Sequence, residues 1–181
     1  LKGARIARVA KMEVLPFNSF SIGNQSKIED YATINNSQGG VFIGKNTFIG
    51  ISSVLKGPVK LGDNITLAQN VVISGLKHNG ADLNTPKKEQ GASTDMITLE
   101  DDCWIGANAV INPGVKIGEH SLVKGGSVVT KNIPPYSMAA GNPAQIIKRF
   151  NRMTQQWEES SNTYIDESSI FKKAVGGEFY I

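Results

Sequence analysis

Aliphatic residues return every six positions along most of the chain. Ile43, Ile49, Leu55, Leu61, Leu67 and Ile73 form one unbroken series, and Leu99, Ile105, Ile111, Ile117, Val123 and Val129 form a second. A shorter series, Ile22, Ile28 and Ile34, precedes both. Four places after the aliphatic residue usually comes a small or β-branched one, as at Ser26, Ala32, Thr47, Ser53, Val71, Cys103, Ala109, Ser121 and Ser127. Gly often follows directly, as in Ile49-Gly50 and Ile105-Gly106. A period of six fits neither an amphipathic helix nor a simple alternating strand. It predicts short strands joined by tight turns, one hexapeptide per side of a prism, with aliphatic side chains stacked inward. Gly and Asn suit the turns because they tolerate left-handed backbone angles. The predicted architecture is an all-β repeat fold, a parallel β-helix. A β-sandwich with accidental spacing is the competing reading, and two long in-phase runs argue against it. Spacing gives no handedness, although the crossover rule favours a right-handed path.

Three interruptions follow from the same register. Ile34 to Ile43 is nine residues rather than six, so Gln38-Gly39-Gly40 is read as a bulge at a corner. Ile73 to Leu99 is 26 residues, so residues 76–96 leave the coil as a loop. Loops of that length in compact repeats are usually functional. The repeat ends at Ile133-Pro134-Pro135. Three parts result: a lead-in over 1–20, a β-helix over 21–143 and a tail over 144–181. Ile146, Ile147, Phe150 and Met153 suggest one face of a helix, with a further segment around Trp157. Such a helical tail would cap the open end of the coil, which solenoids need.

Composition changes this picture little. The chain has 181 residues, 40% of them hydrophobic and 19% charged, which is globular rather than disordered. The net charge of +3 is too mild to argue for nucleic acid. After Phe150 there are three basic and five acidic residues, which leaves the body at +5, a weak pull toward anions. Cys103 is the single cysteine, so an internal disulfide is excluded and a reducing cytoplasm is the expected setting. No apolar run approaches the length of a membrane-spanning helix. The first residue is Leu rather than Met, which leaves the native start open.

The chemistry centres on His78, at the start of the loop. An imidazole is the natural base for removing a hydroxyl proton near neutral pH. By position alone a lone loop histidine is more often a solvated side chain than a base. Cys103 falls at a small inward position and reads as packing rather than as a nucleophile.

Two stretches carry a resemblance. Asp101-Asp102-Cys103-Trp104-Ile105-Gly106-Ala107-Asn108-Ala109-Val110-Ile111-Asn112-Pro113-Gly114-Val115 is one. Gly125-Gly126-Ser127-Val128-Val129-Thr130-Lys131-Asn132-Ile133-Pro134-Pro135-Tyr136, followed by Ala140-Gly141-Asn142-Pro143-Ala144, is the other. They resemble hexapeptide-repeat acyltransferases, above all the maltose, galactoside and surface-polysaccharide O-acetyltransferases. The loop's Gln90-Gly91 and the acidic run before Trp104 resemble the polysaccharide branch. The resemblance covers about Ser21 to Arg149.

It implies a left-handed β-helix, against the crossover rule. It implies acetyl-CoA as co-substrate, no metal, a sugar-type acceptor and a homotrimer in which the loop of one subunit reaches its neighbour. His78 then matches the family's catalytic histidine. Ser52, Asn79 and Trp104 would meet the acceptor, although Trp104 can equally be a corner aromatic. Gly106, Ala107, Gly125, Gly126, Thr130, Lys131 and Lys148 would meet the cofactor, with Arg149 a further candidate for its phosphates. Two departures stand out. Ser52 occupies a place where some galactoside-type relatives have an acceptor-binding Asn, and Ala107 a place where Ser is frequent. The alternatives are an N-acetyltransferase of an amino sugar, an antibiotic O-acetyltransferase, a non-catalytic scaffold, and a γ-class carbonic anhydrase. The last needs three histidine ligands, and the chain has only His78 and His120.

Overall fold

The computed structural model describes residues 3–160. Its strands are two or three residues long through the repeat, and they stack in parallel into three walls of a prism. The first wall contains Arg5–Ile6, Lys27–Ile28, Phe48–Ile49, Thr66–Leu67, Trp104–Ile105, Leu122–Val123 and Ser137–Gly141 in spatial order. The second runs Lys11–Glu13, Thr33–Asn35, Val54–Lys56, Val72–Ser74, Val110–Ile111 and Val128–Val129. The third runs Phe20–Ile22, Val41–Ile43, Val59–Leu61, Ile97–Leu99 and Lys116–Ile117. Registers join residues of the six-fold series to one another, as in Ile28 to Ile49 to Leu67 to Ile105 to Val123.

The sequence pattern explains this directly. Each two-residue strand of the first wall points one aliphatic side chain inward, with Ile28, Ile49, Leu67, Ile105 and Val123 fully buried, while strands of the third wall bury two, as with Val59 and Leu61. Burying a side chain of that size contributes about 1.5–3 kcal/mol. The small residue four places on also points inward, beside the turn. Where it is Ser or Thr, its hydroxyl bonds to the backbone of the next coil, and Ser127 Oγ does so by accepting the Gly141 N–H at 3.2 Å. Ser53 Oγ donates to Ala68 O at 3.0 Å, Thr47 Oγ1 to Gly62 O at 3.1 Å, and Ser121 Oγ to Pro134 O at 2.9 Å. Cys103 takes the same place, and its Sγ lies 3.2 Å from Gly118 O. These buried donors tie coil to coil instead of costing stability.

Turn length is the informative variable. The edge between the first and second walls is crossed by four residues in each coil, as at 50–53, 106–109 and 124–127. The edge between the second and third walls absorbs the long segments, 14–19, 36–40 and 75–96. Residues 38–40 therefore lie in a turn at this edge, where Gly39 packs against Pro58 of the next coil. The buried Asn36 side chain secures the first of these segments. It accepts the Leu15 N–H at 2.7 Å and donates to Asn18 O at 2.8 Å.

Two expectations are corrected. Residues 5–13, read as lead-in, already form coil: Arg5–Ile6 pairs with Lys27–Ile28 and Lys11–Glu13 with Thr33–Asn35. The helical tail is not found among the described residues. Ala144–Asn151 and Gln156–Glu159 are antiparallel strands that extend the first wall beyond Ser137–Gly141. The last coil presents an open row of backbone donors and acceptors, and pairing with it outweighs helix formation. Ile146, Ile147 and Phe150 also favour strand. Ala144 and Ile146 pack against the core, while Met153 is 92% exposed and buries nothing. Residues 161–181, the rest of the expected tail, lie outside the described residues.

Candidate active site

His78 ends the strand Leu76–His78, which pairs antiparallel with Ala92–Thr94. This two-stranded ribbon stands off the edge between the second and third walls. Its tip is braced internally. Gln90 Nε2 donates to the carbonyls of Asp82 and Thr85, both at 2.6 Å, and Lys87 Nζ donates to Gly80 O at 2.6 Å. The Asp82 carboxylate accepts from Thr85 Oγ1 at 2.6 Å and from the Asn84 amide at 2.8 Å. The Thr85 hydroxyl first, then the Asn84 amide, hold its carboxyl below the ordinary range. The loop is thus a defined structure with few contacts to the coil, and Leu83 at its tip is 89% exposed.

His78 itself is exposed, and among the described residues its side chain has no hydrogen-bond partner. Asn79 next to it is occupied: its Nδ2 donates to Gln90 O at 3.1 Å and its amide to Gly91 O at 3.2 Å. That bond makes Asn79 a clasp at the root of the loop tip.

The cofactor candidates fall in different places. Ser52, Gly106, Ala107, Gly125 and Gly126 line the edge between the first and second walls. Gly126 N donates to Ala107 O at 2.8 Å, so the two sequence motifs stack on consecutive coils. Gly125 and Gly126 are exposed, and a side chain added at Gly126 would meet nothing within 4 Å. Together they leave a bare shelf of backbone. Gly106 is different, because it is buried, and a Cβ there would lie 2.4 Å from Gly125 N. Its lack of a side chain allows two coils to touch, a packing role rather than a ligand contact.

Thr130 and Lys131 cross the edge between the second and third walls, on the same side as His78. The strand Val128–Val129 separates them from the Gly126 shelf, a span of about 13 Å of extended chain. Lys131 is exposed and makes no ion pair among the described residues. Lys148 lies opposite Met138 on the extension of the first wall and is paired with Glu159 at 2.8 Å. Arg149 lies opposite Ser137 and Glu158 and is exposed.

Trp104 is in a strand of the first wall, not at a corner, with Thr66 and Leu122 as its neighbours. It is 41% exposed. In a three-walled prism the first wall faces away from the edge that carries His78. One chain therefore does not bring Trp104 and His78 together.

Two features escaped the sequence reading. One is the brace of Asp82, Lys87 and Gln90, whose side-chain-to-backbone bonds have no fixed spacing. The other is a cluster on the remaining edge, where His120 Nδ1 lies 2.7 Å from Asp102 Oδ2. Their separation of 18 residues, one full coil, was the available signal. His120 and His78 stand on different edges, and among the described residues no group of three or more metal-ligating side chains gathers. Among those residues no helix is long and apolar enough to cross a membrane.

Comparison with known proteins agrees with the geometry. The sequence matches the bacterial transferase hexapeptide family (six repeats) over residues 40–75 and 96–131. It is 36% identical over 114 residues to the galactoside O-acetyltransferase of Escherichia coli strain K12, covering 61% of this chain and 55% of that protein. It is 32% identical over 122 residues to a putative lipopolysaccharide biosynthesis O-acetyl transferase of the same bacterium, covering 64% and 61%. The chain thus spans little more than half the length of these curated relatives. Among solved structures, a hexapeptide-repeat acetyltransferase of Vibrio cholerae complexed with acetyl coenzyme A superposes with a TM-score of 0.56 at 27% identity, covering 74% of this chain and 69% of that one. An N-acyltransferase from Bacillus cereus shares the fold with a TM-score of 0.71 at 22% identity, covering 94% and 88%. The stacked hexapeptides and these matches agree: residues 40–75 and 96–131 are repeats of the bacterial transferase hexapeptide kind.

Proposed function

We propose that the protein transfers the acetyl group of acetyl-CoA to a hydroxyl of a sugar or polysaccharide precursor, with His78 as general base. The observation that carries this reading is His78 itself, exposed and, among the described residues, without a hydrogen-bond partner at the outer end of the ribbon, where the braced loop tip begins. A structural histidine would be expected to spend its ring on a neighbour. The names of the curated relatives support acetyl transfer to oxygen, and the bound ligand of the Vibrio cholerae structure supports the donor.

The reaction needs one base and one proton path. The acceptor oxygen attacks the thioester carbonyl carbon while the His78 imidazole takes its proton. The tetrahedral adduct then collapses, the C–S bond breaks, and the imidazolium returns the proton to the departing thiolate. Backbone N–H groups along the glycine shelf can steady the negative oxygen. The shelf at Gly125 and Gly126 gives the pantetheine arm room against the coil, and Lys131 offers an unpaired cation for a phosphate.

The site is assembled from more than one chain, and a homotrimer with three-fold symmetry is the arrangement proposed. His78 on one edge, the shelf on another and Trp104 on the opposite wall border a single pocket only when neighbouring copies supply them.

The test is acetyl transfer from acetyl-CoA to a panel of sugars, nucleotide sugars and amino sugars, with thiol release and product mass both recorded. O-acetyl products that depend on His78 are expected. Product on amino sugars alone would establish N-acetylation instead. No thiol release with any acceptor would overturn the enzymatic reading.

A further inference from the structure

The third edge of the prism, between the third and first walls, carries neither the loop nor the shelf. There Asp102, His120 and Tyr136 occupy the same turn position in three successive coils, with φ of 56°, 54° and 55°. Asp102 Oδ2 holds His120 Nδ1 at 2.7 Å, and the His120 ring stacks on Tyr136 with centroids 4.8 Å apart. The terminal strands add Phe150 and Trp157, whose rings meet edge to face at 5.4 Å and 67°. These five side chains line a cavity of about 230 Å³. Arg152 stands 5.3 Å from the Tyr136 ring centroid.

We propose that this cavity is a second, non-catalytic site that binds one pyranose ring of a glycan. Three observations select that ligand. The volume falls below the roughly 300–1,000 Å³ of ordinary ligand pockets, so it admits one ring rather than a nucleotide. The Phe150 and Trp157 rings meet steeply and form a corner rather than two parallel plates. A corner suits the C–H face of a sugar chair, whereas a flat base needs a parallel slot. The polar side holds the Asp102 carboxylate, with one oxygen already engaged by His120 Nδ1, and the Arg152 guanidinium over Tyr136, so a cation already stands beside the aromatic ring where a quaternary ammonium ligand would sit. What remains is a neutral ligand with hydroxyls. They can donate to the free oxygen of Asp102 and meet the outer nitrogen of His120.

The site lies on a different edge from His78 and from the glycine shelf, so it would hold another unit of the same or a neighbouring glycan. Its use in acetylation rests on the proposed function, but its binding of sugar does not. The experiment is saturation-transfer NMR on the full chain with the methyl glycosides of glucose, galactose, N-acetylglucosamine and rhamnose, with tetramethylammonium as a comparison. Trp157→Ala and the near-isosteric Asp102→Asn serve as site variants, and circular dichroism reports their fold. At least one glycoside should bind at millimolar concentration, and each variant should weaken it about tenfold or more. His78→Ala should bind the glycoside like the parent protein, and the two site variants should still acetylate a small acceptor. The proposal is overturned if no glycoside binds, if binding survives both variants, or if tetramethylammonium binds in preference. If the parent protein itself transfers no acetyl group while sugar binding is intact, the catalytic reading is refuted and this site still stands.

Discussion

His78 lies directly across from Ala92 in the ribbon that leaves the coil, and among the described residues its ring has no hydrogen-bond partner. Removing the imidazole therefore removes chemistry without removing packing. His78→Ala is expected to lower turnover by about two to four orders of magnitude, the usual share of a general base. Thermal stability and CoA affinity should stay close to those of the parent. Single-turnover transfer and calorimetric CoA titration, run side by side, check both halves. Turnover near that of the parent would take His78 out of the mechanism.

The shelf contains glycines of two kinds, and substitution should separate them. At Gly106 a Cβ would sit 2.4 Å from Gly125 N and 2.8 Å from Gly125 Cα, both backbone atoms that cannot swing aside. Gly106→Ala should cost about 1–3 kcal/mol, a fall of about 2–12 °C in the unfolding midpoint. At exposed Gly125 the tightest contact of an added Cβ is Ala107 O at 3.1 Å, a crowding of a few tenths of an ångström and far less than at Gly106. Gly125→Trp should therefore fold, yet fill the path of the pantetheine and abolish CoA binding. A folded Gly125→Trp protein with unchanged CoA affinity would mean that the cofactor runs elsewhere.

The coil was legible because its signal is local and repeated. Ile49, Leu67 and Ile105 show the same chemistry at the same phase, and all three are fully buried. The tail was not legible for the opposite reason. The spacing of Ile146, Ile147, Phe150 and Met153 fits a helix, but that pattern contains no information about the open edge at Ser137–Gly141. The edge decides the outcome, through the pairing of Ser137 with Arg149 and Gly141 with Ala144. The candidate site was half legible. Sequence phase places Gly125 at a turn, and the motif names His78. Which edge each occupies depends on counting walls through every insertion. Only then does it emerge that Trp104 and His78 face opposite ways.

Cys103 provides a test of the core. It is 1% exposed, and burial pushes its thiol from an ordinary 9.0 up to about 12. A thiol reagent at neutral pH should leave the native protein unmodified and react fully after unfolding. The same shift predicts a pH effect on stability. Between 9.0 and about 12 the unfolded chain releases the thiol proton while the folded chain retains it. The unfolded state then binds fewer protons, so stability falls as pH rises through this window and is unaffected below it. The slope from this one group approaches about 1.4 kcal/mol per pH unit. Denaturant midpoints near pH 8 and pH 10.5 should converge between the parent and Cys103→Ala, because only the parent carries this loss. Parallel curves would show that the interior accommodates the thiolate.

The strongest test of the shared site uses two inactive proteins. His78 and Gly125 sit on different edges of the prism, with the second wall between them, and the proposed trimer makes each pocket from one edge of each of two neighbours. His78→Ala chains retain a good shelf, and Gly125→Trp chains retain a good base. Mixed as unfolded chains and refolded together, they should form pockets that receive His78 from one chain and the intact shelf from the other. With equal random mixing, each pocket draws its base side and its shelf side independently, so roughly one pocket in four is complete. Activity should therefore recover to about a quarter of that of the parent per site, from two starting materials that have almost none. Isotope labelling of one variant, read by native mass spectrometry, establishes that the trimers are mixed. Mixed trimers without recovered activity would place the base and the shelf of one pocket on the same chain. A monomer in light scattering would remove the shared pocket altogether, because a single chain leaves His78 facing away from Trp104.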